Sequence, residues 1–214
     1  MLKIAHRGYA KNYKENTILA FEDAKNNNFD VIEIDIQLDK NNKIVVFHDR
    51  HIDFQLINTL SYQDIIQSKP DVMLLSTFFE SFDYHNIQIY LDLKGPAKLA
   101  EILHIFIIEN NINIEKIWFA SFNIQHLDIL SKNNSNYRLG FISDNNFTLD
   151  ILLHIVCKYN IFFVCFHWCV LNKESISLLH SRGIRVFYYT LKDKKMLTML
   201  EKFNIDGIVS DIIF

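Results

Sequence analysis

The chain has 214 residues, half of them hydrophobic and 22% charged, which is enough apolar material for one full core. A net charge of −3, with the lysines scattered, excludes the strongly basic face of a nucleic-acid binder. The longest apolar run, Ile161 to Leu171, is interrupted by His167 and is too short to span a bilayer.

The first strand is expected at Lys3 to Ala5 and delivers His6-Arg7-Gly8. A strand that begins almost at Met1 leaves no room for a secretory signal. Cys157, Cys165 and Cys169 are odd in number and form no C-x-x-C, so they read as small buried thiols in a reducing, cytoplasmic setting. Thr17 caps the first helix. On the next strand, Val31 to Ile36, side chains alternate, so Glu33 and Asp35 share one face and Ile32, Ile34 and Ile36 the other. A turn at residues 39 to 42 then sends the chain back through Ile44 to Phe47 as a hairpin arm. With that turn, Glu33 faces His48 and Asp35 faces Val46.

Further strands follow at Ile87 to Leu93, Ile117 to Ala120, Arg138 to Ile142, Ile161 to Phe166, Arg185 to Tyr189 and Gly207 to Val209. Asp92 and Lys94 form a second polar pair on one strand face. Helix starts are marked by Ser61 with Asp64 three residues on, and by Asn123, Thr148, Asn172 and Asp193. Gly8 and Gly95 each follow a polar motif where the chain must turn sharply. His104, His126, His154 and His180 fall within predicted helices and are expected at the surface. Short apolar runs alternating with amphipathic segments describe a parallel sheet with covering helices, in one domain over residues 1–214.

Two carboxylates side by side on an apolar strand are costly unless a proton or a cation offsets them, and a divalent metal is the simplest answer. The competing reading makes Glu33 and Asp35 edge-strand solubilisers. The second polar pair at Asp92 and Lys94 weighs against it. Together with His6, Arg7 and His48, these groups are the set that a metal-assisted attack on a phosphodiester requires.

The segments IAHRG, Glu15-Asn16-Thr17, EIDIQLD, VVFHD, LDLKG, ASF ending at Phe122, and IDGIVSD resemble, in order, the motif series of the glycerophosphodiester phosphodiesterase family. The resemblance implies a TIM-type (β/α)8 barrel with a β-hairpin arm at the mouth carrying His48. It implies hydrolysis of a small-molecule glycerophosphodiester to glycerol 3-phosphate and an alcohol. His6 and His48 would be the acid/base pair, and Glu33, Asp35 and Asp92 the ligands of Mg2+ or Ca2+. Arg7 and Lys94 would contact phosphate, with Phe122 and Tyr189 lining the substrate pocket. Two departures stand out: Asp92 where the family usually has Glu, and Tyr189-Thr190 where it usually has Trp-Thr. A phospholipase D-like enzyme acting on lysophospholipid or sphingolipid, and a barrel that binds phosphate esters without turnover, are the alternatives. A deep apolar groove at the mouth points to the lipid enzyme, and a small polar pocket to glycerophosphodiesters.

Overall fold

In a computed structural model, which describes residues 1–200 and 202–214, the chain runs through β1 (Leu2–Ala5), α1 (Ile18–Asn26), β2 (Val31–Leu38) and β3 (Ile44–Val46). A short ribbon, β4 (His51–Ile52) and β5 (Gln55–Leu56), precedes α2 (Tyr62–Ser68), β6 (Met73–Leu74) and α3 (Leu75–Ser81). Strands and helices then alternate: β7 (Gln88–Leu93), α4 (Lys98–Glu109), β8 (Ile117–Ser121), α5 (Ile124–Asn133), β9 (Arg138–Ser143), α6 (Leu149–Lys158), β10 (Ile161–His167), α7 (Lys173–Ser181), β11 (Arg185–Leu191), α8 (Lys195–Leu200) and β12 (Gly207–Ser210). The sheet order is β1-β12-β11-β10-β9-β8-β7-β2, and β1 also pairs with β2. Eight parallel strands therefore close a barrel with helices between them, the TIM-type architecture expected from the sequence.

The alternation along β2 sorts two apolar layers. Ile32, Ile34 and Ile36 pack outward under the helices, in one cluster with Phe21, Phe78 and Leu103. Inside the barrel a separate cluster holds Tyr90, Trp118, Phe163 and Phe187. Trp118 stacks on Phe187 with centroids 5.6 Å apart, and Phe163 lies 4.7 Å from Phe187. Gly140 makes room for this plug, since a Cβ there would lie 2.1 Å from the Phe163 ring. Part of the chain's phenylalanine is thus the filling of the barrel floor, on which the polar mouth rests.

Most helix starts follow their sequence signals, although Thr148 heads α6 without a side-chain cap bond. Thr17 accepts from the Ala20 N–H, and Ser61 with Asp64 forms a full capping box. Asn123 and Asn172 cap α5 and α7 through their side chains.

Three expectations need correcting. The hairpin register is one residue on from the expected one: Ile36 pairs with Val46, Gln37 with Val45 and Leu38 with Ile44. The cause is the turn. Asp39 N–H donates to the Lys43 carbonyl at 3.0 Å, enclosing three residues, and Asn42 takes the left-handed conformation at φ 65°. His48 consequently lies beyond the ladder, in a loop, and does not pair with Glu33. His126 is fully buried rather than superficial, bonded to Ser121 Oγ at 2.8 Å and to the Pro96 carbonyl at 2.9 Å. Of the three thiols only Cys165 is buried, whereas Cys157 and Cys169 are exposed. Among the described residues no helix is long and apolar enough to cross a membrane.

Candidate active site

All nine residues singled out from the sequence line one cavity of about 210 Å³ at the carboxyl ends of the barrel strands. β1 presents His6 and Arg7, β2 carries Glu33 and Asp35, and β7 carries Asp92 with Lys94 just beyond it. Phe122 follows β8, Tyr189 is on β11, and His48 arrives on the loop after β3.

The parallel register sets Asp35 beside Asp92. Glu33 sits one pleat below, and one oxygen from each of the three carboxylates falls within 4.8 Å of the others. All three are buried, at 4%, 1% and 6% exposure. Burial and the neighbouring Asp35 and Asp92 push the Glu33 carboxyl well above its usual range. Burial likewise raises Asp92, to about 6, even against the attraction of Lys94. Asp35 goes the other way: burial is outweighed by Lys94, Arg7 and His48, which hold it low. Asp92 Oδ1 is buried without a hydrogen-bond partner. Three crowded oxygen ligands with an unsatisfied lone pair fit a hard divalent cation, and no thiol joins them.

The resident cations are tightly held. Lys94 Nζ lies 3.2 Å from Asp35 Oδ1 and in close contact with Asp92 Oδ2. These carboxylates overcome the cost of burying the ammonium and raise its pKa. Lys94 also sits 5.5 Å from the centre of the Phe122 ring, which in turn meets Tyr189 edge-on. Arg7 donates to both Glu15 oxygens at 2.9 and 3.0 Å, and its Nε is 3.2 Å from Asp35 Oδ2. Its backbone N–H donates to Glu33 at 2.8 Å. That geometry requires Arg7 and Gly8 at φ 56° and 78°. A Cβ on Gly8 would come within 2.8 Å of the Ala20 backbone, so only glycine fits there.

Residues the sequence reading did not single out complete the frame. Asn16, in the left-handed region, donates from Nδ2 to Asp35 Oδ2 at 3.0 Å. The buried Gln37 donates to the carbonyls of Phe47 and Asp49, both at 2.8 Å, and so ties the His48 loop to β2. Asp211 Oδ1 is 2.6 Å from His6 Nδ1, and Asp49 Oδ1 is 2.8 Å from His48 Nδ1. Each pairing fixes one ring nitrogen and leaves Nε2 for other work. The contact with His6 overcomes burial and lowers the Asp211 carboxyl. Asp211 closes the IDGIVSD segment, so its motif was visible in the sequence although its partner was not.

Barrels of this architecture act at this face, and a small cavity combining carboxylates, imidazoles and cations suits an anionic ester, which defines the class as a TIM-barrel enzyme. Similarity to known proteins points to a family. The model of the glycerophosphoryl diester phosphodiesterase family matches residues 6–57. A glycerophosphodiester phosphodiesterase of Caldanaerobacter subterraneus is 25% identical over 98% of this chain and 93% of its own length. Among solved structures, a glycerophosphodiester phosphodiesterase of Parabacteroides distasonis superposes with a TM-score of 0.87 at 18% identity, covering 98% of this chain and 92% of that one. A phosphodiesterase of Oleispira antarctica, solved in complex with the product sn-glycerol-3-phosphate, superposes with a TM-score of 0.86 at 19% identity, covering 99% and 93%. The family model, the curated relatives and the solved structures all support placing the chain with the glycerophosphodiester phosphodiesterases.

Proposed function

We propose that this chain hydrolyses glycerophosphodiesters to glycerol 3-phosphate and an alcohol, with Glu33, Asp35 and Asp92 holding a divalent cation, Mg2+ or Ca2+, and His6 and His48 acting as the acid/base pair. The observation that carries the reading is the buried carboxylate trio, with an orphaned oxygen on Asp92, between two histidines each oriented by an aspartate. Held there by Glu33, Asp35 and Asp92, a cation would supply positive charge to offset the charge that develops on the phosphate.

The chain's own groups do the rest. One histidine accepts a proton from the attacking hydroxyl, of water or of the substrate's own glycerol, while the other protonates the departing alkoxide. Arg7 and Lys94 add charge-assisted hydrogen bonds to the phosphate, and Phe122 with Tyr189 forms an apolar wall for the glycerol carbons. The small, charged cavity favours a water-soluble diester over a lipid headgroup with its acyl chain still attached. The reading extends to one domain over residues 1–214 working in a reducing cytoplasm, which suits the three free cysteines.

The test is turnover of glycerophosphocholine with and without a chelator. Release of glycerol 3-phosphate that stops with EDTA and returns with Mg2+ or Ca2+ is expected. Unchanged turnover in EDTA would remove the cation from the reading, and no turnover under any condition would remove the reaction.

A further inference from the structure

Beside the reaction cavity, and sharing His6, Arg7 and Lys192 with its lining, runs a wider groove of about 870 Å³. It is walled by the segments that follow β1, β11 and β12. Its acidic groups are already engaged: Glu15 accepts from Arg7, Asp211 pairs with His6, and Asp193 accepts the Lys195 N–H at 2.9 Å. Its ammonium groups are freer, although Lys192 lies near enough to Asp211 to help hold that carboxyl low. Lys11, Lys192 and Lys194 are all exposed, and among the described residues none of them forms an ion pair. The groove therefore presents surplus positive charge along the path into a cavity where an anionic ester would react.

We propose that this groove is a subsite for a second anionic group, a phosphate or a carboxylate carried on the leaving alcohol, so that the preferred substrates are glycerophosphodiesters of acidic alcohols. This rests on the phosphodiesterase reading above and adds the substrate class. It also divides the work of the histidines. His6 borders both spaces, so an alcohol lying in the groove leaves past His6. With Nδ1 held by Asp211, the proton for the leaving oxygen sits on Nε2. As the P–O bond to the alcohol breaks, its electron pair takes that proton, while His48 accepts the proton of the attacking hydroxyl. The alcohol departs neutral at its oxygen, and water is the co-reactant, either as the attacking hydroxyl itself or by opening the cyclic phosphate that attack by the substrate's own glycerol hydroxyl leaves.

Each exposed ammonium facing an anion is worth about two- to fivefold in affinity, so the three together should favour an acidic alcohol by about tenfold or more, falling as salt rises. The experiment compares kcat/KM of the full chain on glycerophosphoglycerol, on its terminally phosphorylated form, on the analogue whose terminal carbon is a carboxylate, and on glycerophosphocholine. Both acidic substrates should be preferred over glycerophosphoglycerol by about tenfold at low salt. Preference for only one of them would identify phosphate or carboxylate as the anion recognised. Lys11→Glu combined with Lys194→Glu should leave glycerophosphoglycerol turnover within about twofold and reverse the order, so that glycerophosphocholine becomes the better substrate. Turnover of glycerophosphoglycerol with equal rates on charged and neutral alcohols, in the parent and in the double variant alike, would overturn the subsite and leave the phosphodiesterase reading standing. Failure to turn over any of the four would overturn both.

Discussion

Asp92 carries a measurable stability cost in the metal-free protein. Its carboxyl rises from 3.8 to about 6 on folding, chiefly through burial, which amounts to about 3 kcal/mol at 1.36 kcal/mol per pH unit. A group whose folded value is raised stabilises the fold fully below its unfolded value, and that stability is lost as pH rises through the folded value. Between about pH 4 and pH 7 the metal-free chain should therefore lose up to about 3 kcal/mol at this position. Glu33, also raised, slopes the same way, while Asp35, held low, titrates below this window. Asp92→Asn keeps the shape and removes the ionisation. In EDTA, urea unfolding followed by circular dichroism should show the parent and Asp92→Asn equally stable near pH 4, with the variant ahead by up to about 3 kcal/mol near pH 7. Added Mg2+ or Ca2+ should reverse the order at pH 7, because the cation binds the folded carboxylate and not the amide. Parallel stability curves for the two proteins across this window would refute the argument that Lys94 offsets the buried Asp92 charge only in part.

His6→Ala and His48→Ala should each lower kcat by ~100- to 10,000-fold, and the double variant should cost less than the two losses combined, since the pair acts as a unit; strictly additive free energies in steady-state assays would argue against a shared step. Asp211→Asn should lower kcat while KM stays nearly constant, because the amide no longer fixes the His6 tautomer, and a change confined to KM would contradict that positioning role. Lys94→Ala should tighten cation binding in calorimetry, because the ammonium that contacts Asp92 and Asp35 competes for the same oxygens; weaker binding in the variant would show that Lys94 assembles the site instead.

What could be read from the sequence was what local geometry dictates. Alternation along β2 placed Glu33 and Asp35 inside the barrel with the isoleucines outside, and the same period placed Asp92 above Tyr90. Glycines following polar motifs marked the left-handed turns at Gly8 and Gly95. The hairpin register was not fixed by alternation. It depended on whether the turn held an even or an odd number of residues, and that rested on one left-handed residue, Asn42. Asparagine adopts that conformation with modest strain but advertises it less clearly than glycine would.

Long-range partners were the other blind spot, and they decide how the site works. Asp211 reaches His6 across 205 residues because β1 and β12 are neighbours in the closed barrel, with Ala5 paired to Ser210. Nothing in either segment announces this until closure is known. His126 gave the opposite error. It lies on a helix, where a histidine is ordinarily exposed, yet α5 starts close under the barrel rim, so its ring fills the gap between Ser121 and the Pro96 carbonyl. Burial lowers its pKa, against the pull of the Pro96 and Leu93 carbonyls, which favour the charged ring. Histidines of both kinds are therefore distinguished by what closure of the sheet brings against them: Asp211 and Asp49 orient His6 and His48 toward an open cavity, while a hydroxyl and a carbonyl lock His126 inside the wall.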